Sequence, residues 1–447
     1  MTTPLIHTRH SAIIRMAIPI ILANASVPLL GLVDTAIIGH TGSAAALGAI
    51  ALGSLIFSFL YWGFGFLRMG TSGFTAQAAG AGDHTEVRSA FIRALLLGSA
   101  IGLLLIIAQY PTAQLALWLL DGSAAVEQSA RDYLSIRIWG APATLGTYAI
   151  IGSLIGLGQT RTLLWLQLLL NGLNVLLDAL FVVVLDWGVR GVAMGTLIAE
   201  WISFMVGCAL LFSLLRPTNK TGDRFFHWPK ILHRTALIST LKTNSDIMWR
   251  TLFLLTGFGW FANAGAQFGD VTLAANHILL QFISFSAFFL DGFAFALESL
   301  VGKTIGARNR PLFDRAIAVS TQIAAGCALG LMTLLFVFGS AAITLLNPLP
   351  AIQLEAQTYL PYAAVYVLLS FAAFQLDGIF IGATRSRAMR DASLFSLLVF
   401  LAAAWLLVPV AGNQGLWIAF IIYVVTRALC LGIYFPSLRR MLDAPTT

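Results

Sequence analysis

Asp34 lies inside a long apolar run, with Val33 before it and Ala36 two positions after. An ionisable side chain at bilayer depth costs at least about 2.5–3.5 kcal/mol on insertion scales, so its presence calls for a reason. One reason is pairing with a distant arginine for packing; the other is uptake and release of a coupling ion. Asn171, Asn174 and Asp178 follow at spacings of i, i+3 and i+7, which stacks three polar side chains on one face of a helix. Thr196 in the next apolar run can face them across a helix pair. Such a row can be a polar seam between helices, as Asn and Thr often are. A seam does not call for a second carboxylate, however, so this row, like Asp34, is a candidate for binding a coupling ion.

The later part of the chain has its own polar residues. Asp246 and Arg250, four apart, are expected to neutralise each other. Asp291 and Glu298 share a helix face, Asn276, His277 and Gln281 cluster nearby, and Asp377 stands alone in an apolar run. Asp377 and Asp291 are candidates for lining a cleft that attracts cations, with pairing of Asp377 to Arg250 or Arg427 as the alternative. Asn171 and Tyr61 join them as cleft candidates, Tyr61 within an aromatic run that also holds Trp62, Phe64 and Phe66. Arg68 and Glu200 are expected to form a charge pair in the first half. Cys208, Cys327 and Cys430 have no paired spacing, so neither a disulfide framework nor a metal site is indicated.

The elements that must carry these residues follow from composition. The 447 residues are 58% hydrophobic and only 10% charged, with mean hydropathy +0.86, whereas soluble chains carry roughly 25% charged residues. Apolar runs recur from end to end, and without strand-like alternation they must cross lipid as helices. Twelve spans are predicted, near 11–39, 44–79, 86–110, 124–157, 162–186, 189–215, 243–266, 270–305, 311–345, 352–383, 390–410 and 415–437. The domains are then 1–215, a basic linker 216–242, and 243–447. A net charge of +7 does not indicate nucleic acid, because the basic residues lie scattered in loops. Of 26 Lys and Arg, 20 fall at the termini or after even-numbered spans, which predicts cytoplasmic termini in a bacterial inner membrane. No phosphate-binding loop or H-E-x-x-H motif occurs, so catalysis and primary pumping are not expected.

The halves repeat at an offset of 226 residues. Leu47–Phe59 aligns with Leu273–Phe285, Ala79–Asp83 with Ile305–Asn309, and Ile155–Arg161 with Ile381–Arg387. Six spans per repeat place both halves in the same orientation, related by a pseudo-two-fold axis along the membrane normal. The offset puts Trp260 opposite Asp34, Phe400 opposite Asn174 and Ala404 opposite Asp178, so the polar set was not duplicated.

The segments Pro28-Leu-Leu-Gly-Leu-Val-Asp-Thr-Ala-Ile-Ile-Gly-His40, Phe66-Leu-Arg-Met-Gly-Thr-Ser-Gly-Phe-Thr-Ala-Gln-Ala78 and Leu376-Asp-Gly-Ile-Phe-Ile-Gly-Ala-Thr-Arg385 resemble the multidrug and toxic compound extrusion (MATE) family, in its DinF-like branch. The resemblance spans essentially the whole chain. It implies an all-α membrane fold of two six-helix lobes exporting organic compounds, cationic or amphipathic, in exchange for protons or sodium ions. It also implies that Asp34, Asn174, Asp178 and Thr196 form a cation network, with no cofactor beyond the coupling ion. Pro19 matches a proline linked to first-helix bending in relatives. Proton coupling in a monomer embedded in the bilayer is the expectation; sodium coupling, or a flippase for lipid or polysaccharide precursors, is the alternative.

Overall fold

The computed structural model describes residues 8–41, 44–120, 124–216 and 225–443, and all regular structure among them is helical. Lipid offers the backbone no hydrogen-bond partners, so apolar runs of this length must satisfy their own peptide groups. In chain order the α-helices are α1 (His10–Thr41), α2 (Ala44–Gly63), α3 (Phe66–Gly80), α4 (His84–Ile107), α5 (Gln109–Leu120), α6 (Ala124–Arg137), α7 (Ala141–Leu157), α8 (Thr160–Asp178), α9 (Gly188–Leu214), α10 (Trp228–Ile231), α11 (Arg234–Ala266), α12 (Asp270–Gly306), α13 (Arg310–Leu346), α14 (Pro350–Gly382) and α15 (Ser386–Asp443).

These make twelve passes among the described residues. α2 with α3 forms one, α6 with α7 another, and a six-residue π-helix, Ala179–Val184, prolongs α8. α15 is two helices joined at a non-helical Gly412. Ten stretches are long and apolar enough to cross a membrane by length and composition, α15 counted once. α11, whose first half carries Arg234, Lys242, Asp246 and Arg250, supplies the remaining pass. The predicted linker is partly helical: it contains α10, and residues 234–242 already belong to α11. At about 1.5 Å per residue, the 37 residues of α12 reach about 55 Å, well beyond a hydrocarbon core of about 30 Å. A helix of that length must tilt or extend past the membrane surface.

The duplication is written into the backbone. Gly82, Gly158 and Asp186 have φ of 71°, 74° and 55°, and the residues 226 further on, Arg308, Thr384 and Gly412, have 49°, 54° and 57°. A β-branched residue rarely accepts this left-handed conformation. At Thr384 the turn is nevertheless the same, with Thr384 N–H donating to Ile381 O (2.9 Å) as Gly158 N–H donates to Ile155 O (2.8 Å). The helix starts agree as well: Asp83 caps α4 by accepting from Glu86 N–H (2.9 Å), and Asn309 caps α13 by accepting from Leu312 N–H (3.0 Å).

The chain divides into two compact units. One holds residues up to Ile21, Ala76–Gly82 and Leu241 onward; the other holds Leu22–Thr75 and Asp83–Thr240. The first unit therefore takes in the start of α1 and the end of α3, although both belong to the first repeat. Inside it, the end of α3 crosses the end of α12 through reciprocal contacts. A Cβ on Gly80 would overlap the Lys303 backbone, one on Gly306 would overlap Gln77 O, and one on Gly302 would overlap Ala76. Residues 76, 77 and 80 are the repeat partners of 302, 303 and 306, and contacts of i with j and j with i mark a two-fold axis. Small residues four apart on both helices allow the close approach. The core of this unit is aromatic: Phe420 is stacked on Tyr366 (4.6 Å) and lies against Phe261 (4.5 Å).

Candidate cation-coupling site

α8 carries the polar row because its apolar residues face elsewhere, leaving Asn171 half-buried and Asn174 and Asp178 fully buried. Asn174 Nδ2 donates to Thr196 Oγ1 (2.8 Å), and Thr196 in turn donates to Val192 O one turn back on α9 (2.9 Å). Asp178 stands at the last residue of α8, where the π-helix begins. Its carboxylate is lodged against α9 at Gly195, where a Cβ would overlap Oδ1. Gly191, one turn earlier, meets the Phe181 carbonyl in the same way at 3.1 Å. Glycines four apart thus let α9 approach the carboxylate's backbone closely enough to bury it. π-turns recur at functional sites, and residues 405–410, the repeat partners of Ala179–Val184, are ordinary α-helix.

Asn171 Nδ2 donates to Ser26 Oγ on α1 (2.7 Å), and Gln167 donates to Asn171 Oδ1 (3.1 Å). Ser26 went unnoticed in the sequence because a serine in an apolar helix carries no distinguishing signal. Asp34 lies on α1, but its side chain is outside the described residues. Pro19 is buried within α1, which continues through it from His10 to Thr41. Of the predicted coupling residues, the structure therefore brings together Asn174, Asp178 and Thr196.

Two charge pairings differ from expectation. Glu200 pairs with Arg137 (2.7 Å) rather than Arg68, and both members are buried. Arg137 ends α6, within the predicted span 124–157, and packs over the Phe57 ring at 5.1 Å. Tyr61, also buried, lies within electrostatic reach of Glu200 and Arg137. Asp246 does not neutralise Arg250. It takes Arg390 (2.7 Å) and the Ser386 hydroxyl (3.1 Å), while Arg250 pairs with Asp377. Arg427 approaches Asp377 at 3.6 Å, so the buried Asp377 sits between two guanidinium groups. Asp291, half-buried, lies in the field of Arg427. Tertiary pairing overrides the i,i+4 spacing because a buried carboxylate selects the donor that its neighbours on other helices present. Asn276 exchanges hydrogen bonds with Asn413 (2.8 and 3.1 Å) and accepts from Trp417 Nε1 (2.9 Å), beside the break at Gly412. His277 and Gln281 contact each other at 3.3 Å.

Outside the membrane-crossing helices, the corner before α4 is clamped by the linker. Lys230 on α10 donates to Asp83 Oδ2 (2.6 Å), and Arg93 donates to Lys230 O (3.1 Å) and to Glu86. Partial burial pushes the Asp83 carboxyl upward, but Lys230 and the Glu86 N–H outweigh it and hold the pKa below the usual range.

Twelve helical passes in duplicated halves, with a carboxylate, an amide and a hydroxyl gathered on α8 and α9, are the architecture of a repeat-built membrane transporter. A sequence profile of the MatE family matches residues 19–180 and 259–406. DNA damage-inducible protein F of Escherichia coli K12 is 36% identical over 426 residues, covering 94% of this chain and 90% of that protein. Multidrug resistance protein NorM of Vibrio cholerae is 24% identical over 437 residues, 94% of each. Among solved structures, a Vibrio cholerae MATE transporter matches with a TM-score of 0.87 at 18% identity, covering 97% of this chain and 98% of that one. An outward-facing multidrug resistance MATE transporter gives 0.86 at 19%, covering 98% and 97%. The chain belongs to the MatE family, and it is a multi-span membrane transporter of the DinF-like kind rather than an enzyme.

Proposed function

We propose that this protein exports small organic compounds, cationic or amphipathic, across the bacterial inner membrane in exchange for inward protons. Asp34 is its main coupling carboxylate, and Asn174, Asp178 and Thr196 complete the site. One observation carries this reading. Trp260 and Phe400, the repeat partners of Asp34 and Asn174, pack edge to face at 5.3 Å, and Ala404, partner of Asp178, is fully buried one turn after Phe400 on α15. Equivalent positions in a duplicated scaffold are neighbours in both copies, which argues that Asp34 adjoins Asn174 in the first. Helix geometry further puts Asp34 near the level of Asp178. From the Ser26–Asn171 contact, Asp34 lies about 12 Å further along α1 and Asp178 about 10.5 Å along α8 at 1.5 Å per residue, and these odd-numbered passes run in the same direction.

A protonated carboxyl needs fewer partners than a carboxylate, so proton binding changes what holds α1 in place. Pro19 lacks the N–H that would close its turn and lets the helix bend there. Alternating access then moves two lobes, 1–215 and 243–447, joined by 216–242, with both termini cytoplasmic and the protein working as a monomer. Asp291, Asp377, Asn171 and Tyr61 line the substrate path in this scheme, Asp377 drawing cations only when one of its arginines turns away. The test is an imposed pH gradient across proteoliposomes loaded with a fluorescent organic cation. Gradient-dependent movement that Asp34→Asn abolishes is expected. Movement driven equally well by a sodium gradient at constant pH would overturn the choice of proton.

A further inference from the structure

In the unit formed by Leu22–Thr75 and Asp83–Thr240, a cavity of about 460 Å³ opens between α2, α5 and α6. Its interior is apolar, with Ile56 and Leu60 from α2 facing Leu134 and Ile138. Gln114 and Arg131 bring polar groups to the same wall. We propose that this groove holds an acyl chain of an anionic phospholipid, with the lipid phosphate on Arg131.

Four features point to a lipid. The groove exists because the repeat is broken here: α4 stops at Ile107 and α5 restarts at Gln109, whereas the matching stretch of α13 continues unbroken to Leu346. Space opened among membrane-crossing helices does not stay empty, since unfilled walls forfeit dispersion contacts, and in a bilayer the available filler is hydrocarbon. The groove is also graded like a lipid. Arg131 comes first along α6, Leu134 one turn later and Ile138 almost two turns later, about 10 Å from the guanidinium-bearing residue by helix rise. The side chain of Arg131 is 45% exposed and, among the described residues, pairs with Glu127 at 3.8 Å, so it can turn to a phosphate. Finally, Tyr110 accepts from Gln114 Nε2 (2.8 Å) at the rim, an aromatic and amide pair of the sort that lies at headgroup level. Arg131, the charged residue among those lining the groove, favours an anionic headgroup over an organic cation once it turns from Glu127, which separates this groove from the proposed substrate path.

The groove has a mechanical connection. Phe57 forms part of its wall, and Arg137, partner of Glu200, lies over the same ring at 5.1 Å. A seated acyl chain therefore presses on the residue that supports the buried ion pair of the first repeat.

Native mass spectrometry of the purified protein titrated with phosphatidylglycerol or with phosphatidylcholine of identical chains tests the proposal. One retained phosphatidylglycerol is expected, preferred over phosphatidylcholine by about fivefold, the contribution of a single basic residue near the headgroup plane. Arg131→Gln should abolish that preference, and Ala113→Trp, which fills the groove, should exclude both lipids. Arg131 is exposed, so its replacement leaves folding intact and the preference ratio remains readable even if Ala113→Trp lowers the yield. Equal retention of the two lipids by the parent protein, or an unchanged preference in Arg131→Gln, would overturn the assignment. So would displacement of the bound species by an organic cation such as ethidium.

Discussion

Removing one member of the Arg137–Glu200 pair should destabilise the protein far more than removing both. The pair is 2.7 Å apart, with Arg137 at 7% and Glu200 at 9% exposure, so neither charge has water to fall back on. Hydrogen bonds between membrane helices average only about 0.6 kcal/mol, because the unfolded chain in a bilayer also finds partners. An orphaned buried charge is a different matter, costing about 3–5 kcal/mol in folded interiors. Arg137→Met should therefore lose about 3–5 kcal/mol, and Glu200→Gln, which keeps the shape but leaves the guanidinium uncompensated, nearly as much. The double variant Arg137→Met/Glu200→Met should recover most of that loss. Its residual deficit comes from the Phe57 ring, which loses its cation. Equilibrium unfolding in mixed micelles measures the cycle. Additive effects below about 1 kcal/mol for each single variant would refute the reasoning, since only the hydrogen bond would then have been lost.

Two further effects follow from the geometry. Gly80→Leu and Gly306→Leu each push a side chain into backbone across the α3–α12 crossing, and because the contacts are reciprocal their costs should match, at about 1–3 kcal/mol or more by overpacking; thermal unfolding of the two variants that differed severalfold in effect would show the crossing is not symmetric. Lys230→Ala should release α10 from the corner at Asp83, seen as faster amide exchange over 225–233 at neutral pH. In the parent protein, Asp83 has a lowered pKa in the folded state, so its contribution is present above the ordinary carboxylate value of about 3.9 and fades as pH falls through the lower folded value. Protection of the amides over 225–233, measured against their intrinsic exchange rates, should then fall only on the acid side, and a loss of protection between pH 6 and 8 would contradict this.

The helical passes and the 226-residue repeat were legible because lipid leaves a sequence few options. A run such as Leu163–Leu180 can only be a helix, and a duplicated turn keeps its conformation even where Thr384 replaces glycine. The row Asn171, Asn174 and Asp178 was legible for the same reason, as its spacing depends on helix geometry alone. Pairings between helices were not. Asp246 and Arg250 satisfy the local rule for a pair, yet each finds a partner from another helix, Arg390 and Asp377. Nothing in the sequence assigns Arg137 a partner, and only packing shows that Phe57 and Glu200 flank it. The π-turn after Asp178 carries no residue signature, and Gly195 gains its meaning from the carboxylate across from it.

The proposal that this polar row couples ion movement to export is tested most directly by Asp178→Asn in proteoliposomes, with two assays on the same preparation. One is uphill export driven by a pH gradient; the other is exchange of labelled for unlabelled substrate with no gradient. Asp178 is fully buried against Gly195, and asparagine keeps its size while removing the titrating charge. The expected result is loss of uphill export with exchange preserved. Uphill export at the parent rate, at equal protein incorporation, would contradict the assignment of this site to coupling.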